Sequence, residues 1–291
     1  MKQVFKPLEL GDQKPFAMGG TGECYRLNED TILKLYSESV PTSRILREKE
    51  GARTALVAGI PTAISFDMVQ VGNRRGVIYE LIQGKTLSEI IAQTPERVSE
   101  LGRMLAEIAA TLHNAAVEKK DLPNSTGPIR MELQKVDYAS EATVQRISDF
   151  LDTLDLEQHY VHGDFHPNNI IITADGPMLI DMDGFSLGCP MFDLATLRFS
   201  LFESPEAVKG GRNSFNGLTH EEALDFWQSF ADTYFDGNMS ADSTELLKKV
   251  MIIKKMHFER LYGQYFPAKY CEAVRNEVLS VFGDQQECFL K

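Results

Sequence analysis

The sequence changes character near residue 82. Before that point, short β-prone runs alternate with turn signals, as in ECYRL and TILKLY on either side of NED, and in AISFDMVQV and GVIYELI on either side of GNRR. A helix-like segment, PTSRILREKEGARTALVAG, lies between these two pairs, with Thr42 or Ser43 as its expected cap and Gly59 at its expected end. Gly51 disfavours this helix by about 1 kcal/mol relative to alanine. A small antiparallel sheet with one helix is therefore predicted.

Helical patterns dominate the rest of the chain. ERVSELGRMLAEIAATLHN has apolar residues at helical spacing, and LTHEEALDFWQSFADTYF opens with Thr219 and Glu222, the pattern of a capping box. Two further helical patterns follow, and the clear strands of this half are NIIIT and MLIDM, joined by ADGP. We therefore predict an α+β fold with an N-terminal lobe over residues 1–82, a larger, mostly helical lobe over residues 83–291, and a hinge at about residues 80–85.

The late hairpin is expected to bring oxygen-bearing side chains together. If its turn is centred on residues 175–176, Asp181 faces Ile170, within one residue of Asn169, and opposed residues lie ~4.5–5.5 Å apart. Amide and carboxylate oxygens are the hard ligands that Mg²⁺ prefers, with phosphate oxygens and waters in its other positions. Asp164, five residues before Asn169, is placed to accept or orient a hydroxyl proton.

The stretch HGDFHPNN, followed by LIDMDG, resembles the aminoglycoside phosphotransferase and choline kinase-like family, whose members share the two-lobed protein-kinase-like fold. The family pattern H-x-D-x-x-x-x-N, then I-D, falls on His162, Asp164, Asn169 and Asp181. The resemblance implies that Asp164 is the catalytic base and that Asn169 and Asp181 bind Mg²⁺. It also implies that Asp193, in MFDLATL, braces the catalytic loop.

Lys34 lies in the apolar strand TILKLY. A lysine at a sheet edge that reaches solvent is the simplest interpretation. If the side chain is instead buried, it needs an acidic partner, and Glu48 on the following helix is the first candidate, with Glu50 second. Kinase-like folds use such a lysine–glutamate pair to hold the α- and β-phosphates of the nucleotide.

Two further segments are candidates for nucleotide binding. GGTGEC precedes Lys34 by one hairpin, where a phosphate-covering loop is expected, so Gly20, Thr21 and Gly22 are candidate phosphate contacts. A glycine cluster alone is more often a turn. The resemblance also places Glu80 and Ile82, in the expected hinge, beside the nucleotide.

The motifs depart from those of protein kinases. Tyr25 stands where a third glycine is expected, HGD and DMDG replace H-R-D and D-F-G, and only 12 positions separate Asp181 from Asp193 (193 − 181). We therefore expect a phosphotransferase that uses ATP, or another nucleoside triphosphate, with Mg²⁺ and phosphorylates a hydroxyl of an aminoglycoside-, choline- or sugar-like small molecule. An atypical serine/threonine protein kinase and a catalytically silent nucleotide-binding regulator are the alternatives.

The net charge of the chain limits the classes of partner that it is expected to bind. A net charge of -12 and a pI near 5.0 argue against a nucleic-acid or an anionic membrane partner. An acidic cleft would favour an amine-bearing ligand, and we expect a small cationic or polyhydroxylated acceptor, with Glu221, Glu222, Asp225 and Glu259 as candidate contacts. The 4 cysteines form no C-x-x-C pair, and no apolar run reaches the ~18 residues of a membrane span. We expect a cytoplasmic protein with reduced thiols, and the sequence leaves its oligomeric state open.

Overall fold

The computed structural model describes residues 5–118, 122–156, 158–204, 211–213 and 215–283. Its strands are β1 (Lys6–Pro7), β2 (Ala17–Gly19), β3 (Gly22–Arg26), β4 (Thr31–Tyr36), β5 (Ser65–Val71), β6 (Arg74–Glu80), β7 (Lys85–Thr86), β8 (His159–Val161), β9 (Ile170–Thr173), β10 (Gly176–Leu179) and β11 (Ser186–Gly188). Its helices are α1 (Thr42–Val57), α2 (Leu87–Gln93), α3 (Val98–Asn114), α4 (Gly127–Leu133), α5 (Glu141–Leu154), α6 (Met191–Phe202), α7 (His220–Tyr234), α8 (Ala241–Tyr262) and α9 (Ala268–Phe282).

The contacts divide the chain into two compact units, one with Met1–Thr86 and Asn169–Phe185 and the other with Leu87–Asn168 and Ser186–Lys291. The predicted sheet forms in the first unit. Its strands run in the order β1-β5-β6-β4-β3-β2, antiparallel except for the β1–β5 pair. Tyr25, Leu33, Leu35 and Val69 form a buried cluster on this sheet. The lobe boundary at residue 82 stays a prediction.

Helix α1 differs from the prediction at its N-terminus and agrees with it at its C-terminus. Its N-cap residue is Pro41, so Thr42 and Ser43 lie inside the first turn and the predicted side-chain cap is wrong. Its predicted end is confirmed by Gly59, which adopts a φ of 78° that favours glycine. A Cβ atom added to Gly51 would lie 2.7 Å from the carbonyl oxygen of Met182. The close packing of α1 on the 182–184 turn therefore requires glycine at position 51, the residue that weakened the helix prediction.

The late hairpin also belongs to the first unit, where β10, β9 and β7 form a three-stranded sheet. The predicted register is wrong by two positions, because Thr173 pairs with Gly176 and the turn is centred on residues 174–175. The Thr173 hydroxyl closes this turn by donating to Gly176 O and accepting from Asp175 N. The paired positions sum to 349 (173 + 176), which places Ile180 opposite Asn169.

The second unit is mainly helical, as predicted. The apolar stripe of α3 is buried at all five expected positions, which are Val98, Leu101, Leu105, Ile108 and Leu112. The capping box at the start of α7 is confirmed, since Thr219 and Glu222 exchange both hydrogen bonds. The antiparallel pair β8–β11 was not predicted, because each strand has only three residues. No helix among the described residues is long and apolar enough to cross a membrane.

Candidate active site

Lys34 of β4 lies between two carboxylates in the first unit. Its Nζ donates to Glu48 Oε1 at 2.6 Å and to Asp181 Oδ1 at 2.8 Å. The side chains of Lys34 and Glu48 are 15% and 5% exposed, whereas that of Asp181 is 40% exposed. The predicted pairing of Lys34 with Glu48 is thus observed, and a lysine at a sheet edge that reaches solvent does not describe this site. Glu50, the second candidate partner, pairs with Arg53 instead.

The charges of this cluster do not cancel, because one ammonium group serves two carboxylates. Burial alone lowers the pKa of Lys34, but Glu48 and Asp181 overcome that effect and raise it above its usual value. Burial raises the pKa of Glu48, the Lys34 charge opposes that rise, and the Asp181 carboxylate adds to it. The cluster therefore has a net negative charge that would attract a second cation. A ligand that drew Lys34 away from one carboxylate would leave that carboxylate as an additional site for a cation.

Asp181 follows β10 in a left-handed conformation, with φ 61° and ψ 59°. Non-glycine residues in this region are uncommon, and they cluster at functional sites. The adjacent Ile180 N donates to Asn169 O at 3.0 Å, so the backbone joins the two candidate Mg²⁺ ligands. Asn169 is buried at 8% exposure. Arg44 holds the neighbouring carboxylate of Asp183, with Nε 2.6 Å from Oδ2.

The amide and carboxylate of Asn169 and Asp181 fit Mg²⁺, which takes hard oxygen ligands and fills its remaining positions with phosphate oxygens and water. In the part of the chain that the structure describes, no group of three or more histidine, cysteine, aspartate or glutamate residues could hold a metal by itself. An ion bound by these two side chains would therefore take its remaining ligands from phosphate oxygens or water.

The glycine-rich turn joins β2 to β3, with Gly20 and Thr21 at its tip. A Cβ atom at Gly22 would lie 2.3 Å from Leu35 O, so the close pairing with β4 requires glycine at this position. A Cβ atom at Gly20 would meet nothing within 4 Å. Packing therefore does not explain Gly20. The Thr21 carbonyl accepts from Ser37 N at 2.9 Å and ties the turn to the end of β4.

The two candidate hinge residues lie at the end of β6. Glu80 pairs in register with Thr31, its N–H donates to Ile64 O, and its carboxylate accepts from Ile64 N at 3.3 Å. Ile82 follows the strand and is half-buried. Their role beside a nucleotide stays a prediction.

In the second unit, Asp193 of α6 holds the start of the 162–169 loop. Its carboxylate is fully buried and accepts from His162 N at 2.7 Å and from Gly163 N at 2.8 Å. His113 Nε2 lies 3.1 Å from the same carboxylate. Burial raises the pKa of Asp193, but the hydrogen bond and charge of His113 outweigh it, so the pKa lies below the usual range. The structure thus shows the bracing contacts expected of Asp193.

Asp164, the candidate base, follows these braced residues. Its side chain is 51% exposed, and its Oδ2 lies 3.3 Å from His166 Nε2. Its own N–H donates to His162 Nδ1 at 3.3 Å. The surrounding protein raises the pKa of Asp164 by desolvation, but His166, His162 and Lys254 together hold it well below its usual value. The two histidines therefore serve the loop as hydrogen-bonding residues, as expected, and Asp164 is a carboxylate at neutral pH.

Lys254 was missed by the sequence analysis. It lies on α8, is 8% exposed, and its Nζ donates to Gly163 O at 3.2 Å. The signal was present in MIIKKMHF, where two lysines interrupt an apolar run. Helical periodicity could not indicate which of the two points toward the 162–169 loop.

Phe215 was also missed. Asn168 Nδ2 donates to Phe215 O at 2.6 Å, and the Phe215 ring lies edge-on to His166, with centroids 4.8 Å apart.

Two of the four acidic residues suggested for acceptor binding have other partners, since Glu222 binds Arg212 and caps α7, and the buried Glu259 binds Arg275.

Comparison with solved structures gives the same fold at low sequence identity. Amicoumacin kinase in complex with AMP-PNP, Ca²⁺ and Ami matches with a TM-score of 0.61 at 15% identity, over 95% of this chain and 90% of that one. A thermostable mutant of aminoglycoside phosphotransferase APH(4)-Ia, in a ternary complex with ADP and hygromycin B, gives 0.60 at 12%, over 94% and 93%. A choline/ethanolamine kinase family protein from Mesorhizobium loti gives 0.58 at 14%, over 96% and 90%. The predicted α+β kinase-like fold is confirmed.

No curated protein matches the chain in sequence. A family model, described as the phosphotransferase enzyme family, matches residues 12–227. This range includes both the Lys34 cluster and the 162–169 loop with Asp164. The predicted relationship to aminoglycoside phosphotransferases and choline kinase-like proteins is confirmed, and the chain belongs to the phosphotransferase enzyme family.

Proposed function

We propose that this protein is a small-molecule kinase that transfers the γ-phosphate of ATP, or of another nucleoside triphosphate, to a hydroxyl group with the help of Mg²⁺. The observation that carries the proposal is the position of Lys34, held between Glu48 at 2.6 Å and Asp181 at 2.8 Å. A buried lysine–glutamate pair next to a candidate metal ligand is the arrangement that kinase-like folds use for nucleotide phosphates. Membership of a phosphotransferase family supports it.

The first unit is proposed to bind the nucleotide. Lys34 would contact phosphate oxygens, and the backbone of Gly20, Thr21 and Gly22 would cover them. Asn169 and Asp181 would hold Mg²⁺, which when bound neutralises phosphate charge. Each residue supplies a donor or a hard ligand of the kind that a phosphate–metal complex requires.

Glu80 and Ile82 are proposed to contact the base of the nucleotide. Their position at the end of β6, directly before the short strand β7, supports this assignment.

Asp164 is proposed to accept the proton of the acceptor hydroxyl. The new bond joins the hydroxyl oxygen to the γ-phosphorus, the bond from that phosphorus to the β,γ-bridging oxygen breaks, and the proton passes to the Asp164 carboxylate. Because the pKa of Asp164 is low, the carboxylate is ionised but weakly basic. It therefore orients the hydroxyl early and takes the proton late, which suits a loose transition state.

A small hydroxyl compound that is cationic or polyhydroxylated is the proposed acceptor. The short path from Asp181 to Asp193 supports this choice over a peptide, because it leaves little room for a peptide-binding activation segment. Solved structures of the same fold include complexes with hygromycin B and Ami. The acidic net charge and the lack of C-x-x-C pairs support a cytoplasmic enzyme without nucleic-acid or membrane partners.

The test measures acceptor-dependent ADP formation over a panel of aminoglycosides, amino alcohols and sugars. We expect turnover with at least one compound, and we expect Asp164→Asn to lower kcat ~10²–10⁴-fold, the usual scale for a general base. Nucleotide binding should remain. Asp175→Asn, at an exposed turn carboxylate, is the matched control and should retain turnover.

Two other outcomes would contradict the proposal. Phosphorylation of generic protein substrates, with no small acceptor in the panel, would favour the serine/threonine kinase. Tight nucleotide binding with no transfer to either class would favour the silent regulator.

A further inference from the structure

Lys254 and Lys255 are adjacent on α8 and both are buried, at 8% and 6% exposure. Burying an ammonium group is costly unless other groups compensate. Lys255 is compensated in the usual way, by ion pairs with Glu203 at 2.8 Å and with Glu277. Lys254 instead donates to the carbonyl of Gly163 at 3.2 Å and lies over the ring of Phe258, 5.5 Å from its centroid. A neutral carbonyl and an aromatic ring are weaker compensation than two carboxylates.

The remaining compensation is electrostatic and acts over a longer distance. Burial lowers the pKa of Lys254, and the carboxylates of Asp164 and Asp193 oppose that fall. Asp193 is already occupied by two backbone N–H groups and by His113. Asp164 directly follows Gly163, whose carbonyl accepts the hydrogen bond from Lys254, so the backbone links this carboxylate closely to Lys254.

Gly163 is hydrogen-bonded to both Asp193 and Lys254 through its backbone. Its N–H donates to Asp193 and its carbonyl accepts from Lys254, so the residue before Asp164 is held from both sides. Its φ of 83° lies in the region that favours glycine. Holding both ends of this residue fixes the direction in which the backbone enters Asp164.

We propose that Lys254 is a positioning residue for phosphoryl transfer, which fixes the Gly163 carbonyl and holds a positive charge near the carboxylate of the next residue, Asp164. The proposal rests on the proposed function in one respect, the role of Asp164 as base. The charged or titratable groups near Asp164 are His162, His166 and Lys254, and those near Lys254 also include Asp193 and His257.

The first test needs no substrate. Thermal unfolding is measured for Lys254→Met, Asp164→Asn and the double variant, at pH 7. If the two charges interact, Lys254→Met should lower Tm by about 2–4 °C more in the wild-type background than in the Asp164→Asn background, a difference that corresponds to ~1 kcal/mol for a unit of this size. Lys255→Met is the matched control, and its effect should add to that of Asp164→Asn. Additivity for Lys254→Met as well would overturn the inference.

The second test measures kcat and the KM for the nucleotide, with an acceptor that the panel of hydroxyl compounds identifies. Lys254→Met should lower kcat about 10-fold, because the Gly163 carbonyl loses its donor and the backbone that carries Asp164 is no longer fixed, with little change in the KM for the nucleotide. Lys254→Gln, which keeps a donor for Gly163 but no charge, should restore part of the lost kcat, and Lys255→Met should leave kcat near the wild-type value.

The two tests separate the inference from the proposed function. A kcat in Lys254→Met equal to that of the wild type would refute the inference. If the wild-type protein has no acceptor-dependent turnover, the proposed function fails, and the unfolding cycle still decides whether Lys254 and Asp164 are coupled.

Discussion

Replacing Lys34 with methionine removes the positive charge that Glu48 and Asp181 share. Asp181 is 40% exposed and can recover hydration, whereas Glu48 is 5% exposed and is left as a buried charge without its partner. Breaking a buried pair in this way typically costs about 3–5 kcal/mol of unfolding free energy. Glu48 can limit the cost by binding a proton, so the expected loss depends on pH.

The size of the expected stability loss follows from the free energy needed to protonate Glu48. Protonating a glutamate with an unfolded pKa of about 4.3 costs about 3.7 kcal/mol at pH 7 and about 1 kcal/mol at pH 5. The pKa of Glu48 is already raised in the folded protein by burial, and loss of Lys34 raises it further. The folded variant therefore binds more protons than the unfolded chain above pH 4.3, and its stability falls as pH rises toward the folded pKa. We expect Lys34→Met to cost about 3–4 kcal/mol at pH 7 and about 1 kcal/mol at pH 5.

Urea unfolding of the wild type and of Lys34→Met at the two pH values measures the difference. The control is the double variant Lys34→Met/Glu48→Gln, in which the residue at position 48 carries no charge, so its loss relative to wild type should vary much less with pH. Equal losses for Lys34→Met at pH 5 and pH 7 would show that Glu48 is not the uncompensated charge. A loss below ~1 kcal/mol at pH 7 would show that the pair is solvated.

Three further predictions concern the bracing, the packing and the metal ligands. Asp193→Ala should lower the unfolding free energy by at least about 3 kcal/mol in urea titrations, because it leaves several buried donors without an acceptor. Gly51→Ala should lower Tm although alanine favours helix by about 1 kcal/mol, because the added Cβ would lie 2.7 Å from Met182 O; an increase in Tm would mean that the contact relaxes freely. In thermal-shift titrations with Mg²⁺ and ATP, Asp181→Ala should reduce the stabilisation more than Asn169→Ala, because only the carboxylate brings charge to the ion. Equal shifts for both variants and wild type would contradict the ligand assignment.

The sequence was most informative where function depends on spacing along the chain. Lys34 and Glu48 lie in consecutive elements, β4 and α1, and their pairing was predicted. Asp181 was predicted as a metal ligand, but its hydrogen bond to Lys34 was not, because it depends on contacts between residues 147 positions apart. Local pattern carries little information about such distances.

The sequence analysis mispredicted local structure where individual side chains determine the backbone conformation. The hairpin register was misplaced by two because the Thr173 hydroxyl, rather than the Asp-Gly dipeptide, closes the turn. The cap of α1 was misplaced because Pro41 supplies the extended residue before the helix. Lys254 was overlooked because its effect arises from tertiary packing of α8 on the 162–169 loop, where helical periodicity gives a face but no partner.

The first unit is discontinuous in sequence, since the sheet that ends at Thr86 is completed by Asn169–Phe185. During synthesis, β7 leaves the ribosome 99 residues before the end of the hairpin segment (185 − 86). At about 5–20 residues per second, that is an interval of roughly 5–20 s. Over most of it, β7 lacks its partner strand β9, Gly51 lacks the Met182 turn against which it packs, and Lys34 has Glu48 but not Asp181. The order of synthesis thus makes this unit depend on the 87–168 segment being translated before its own sheet can close.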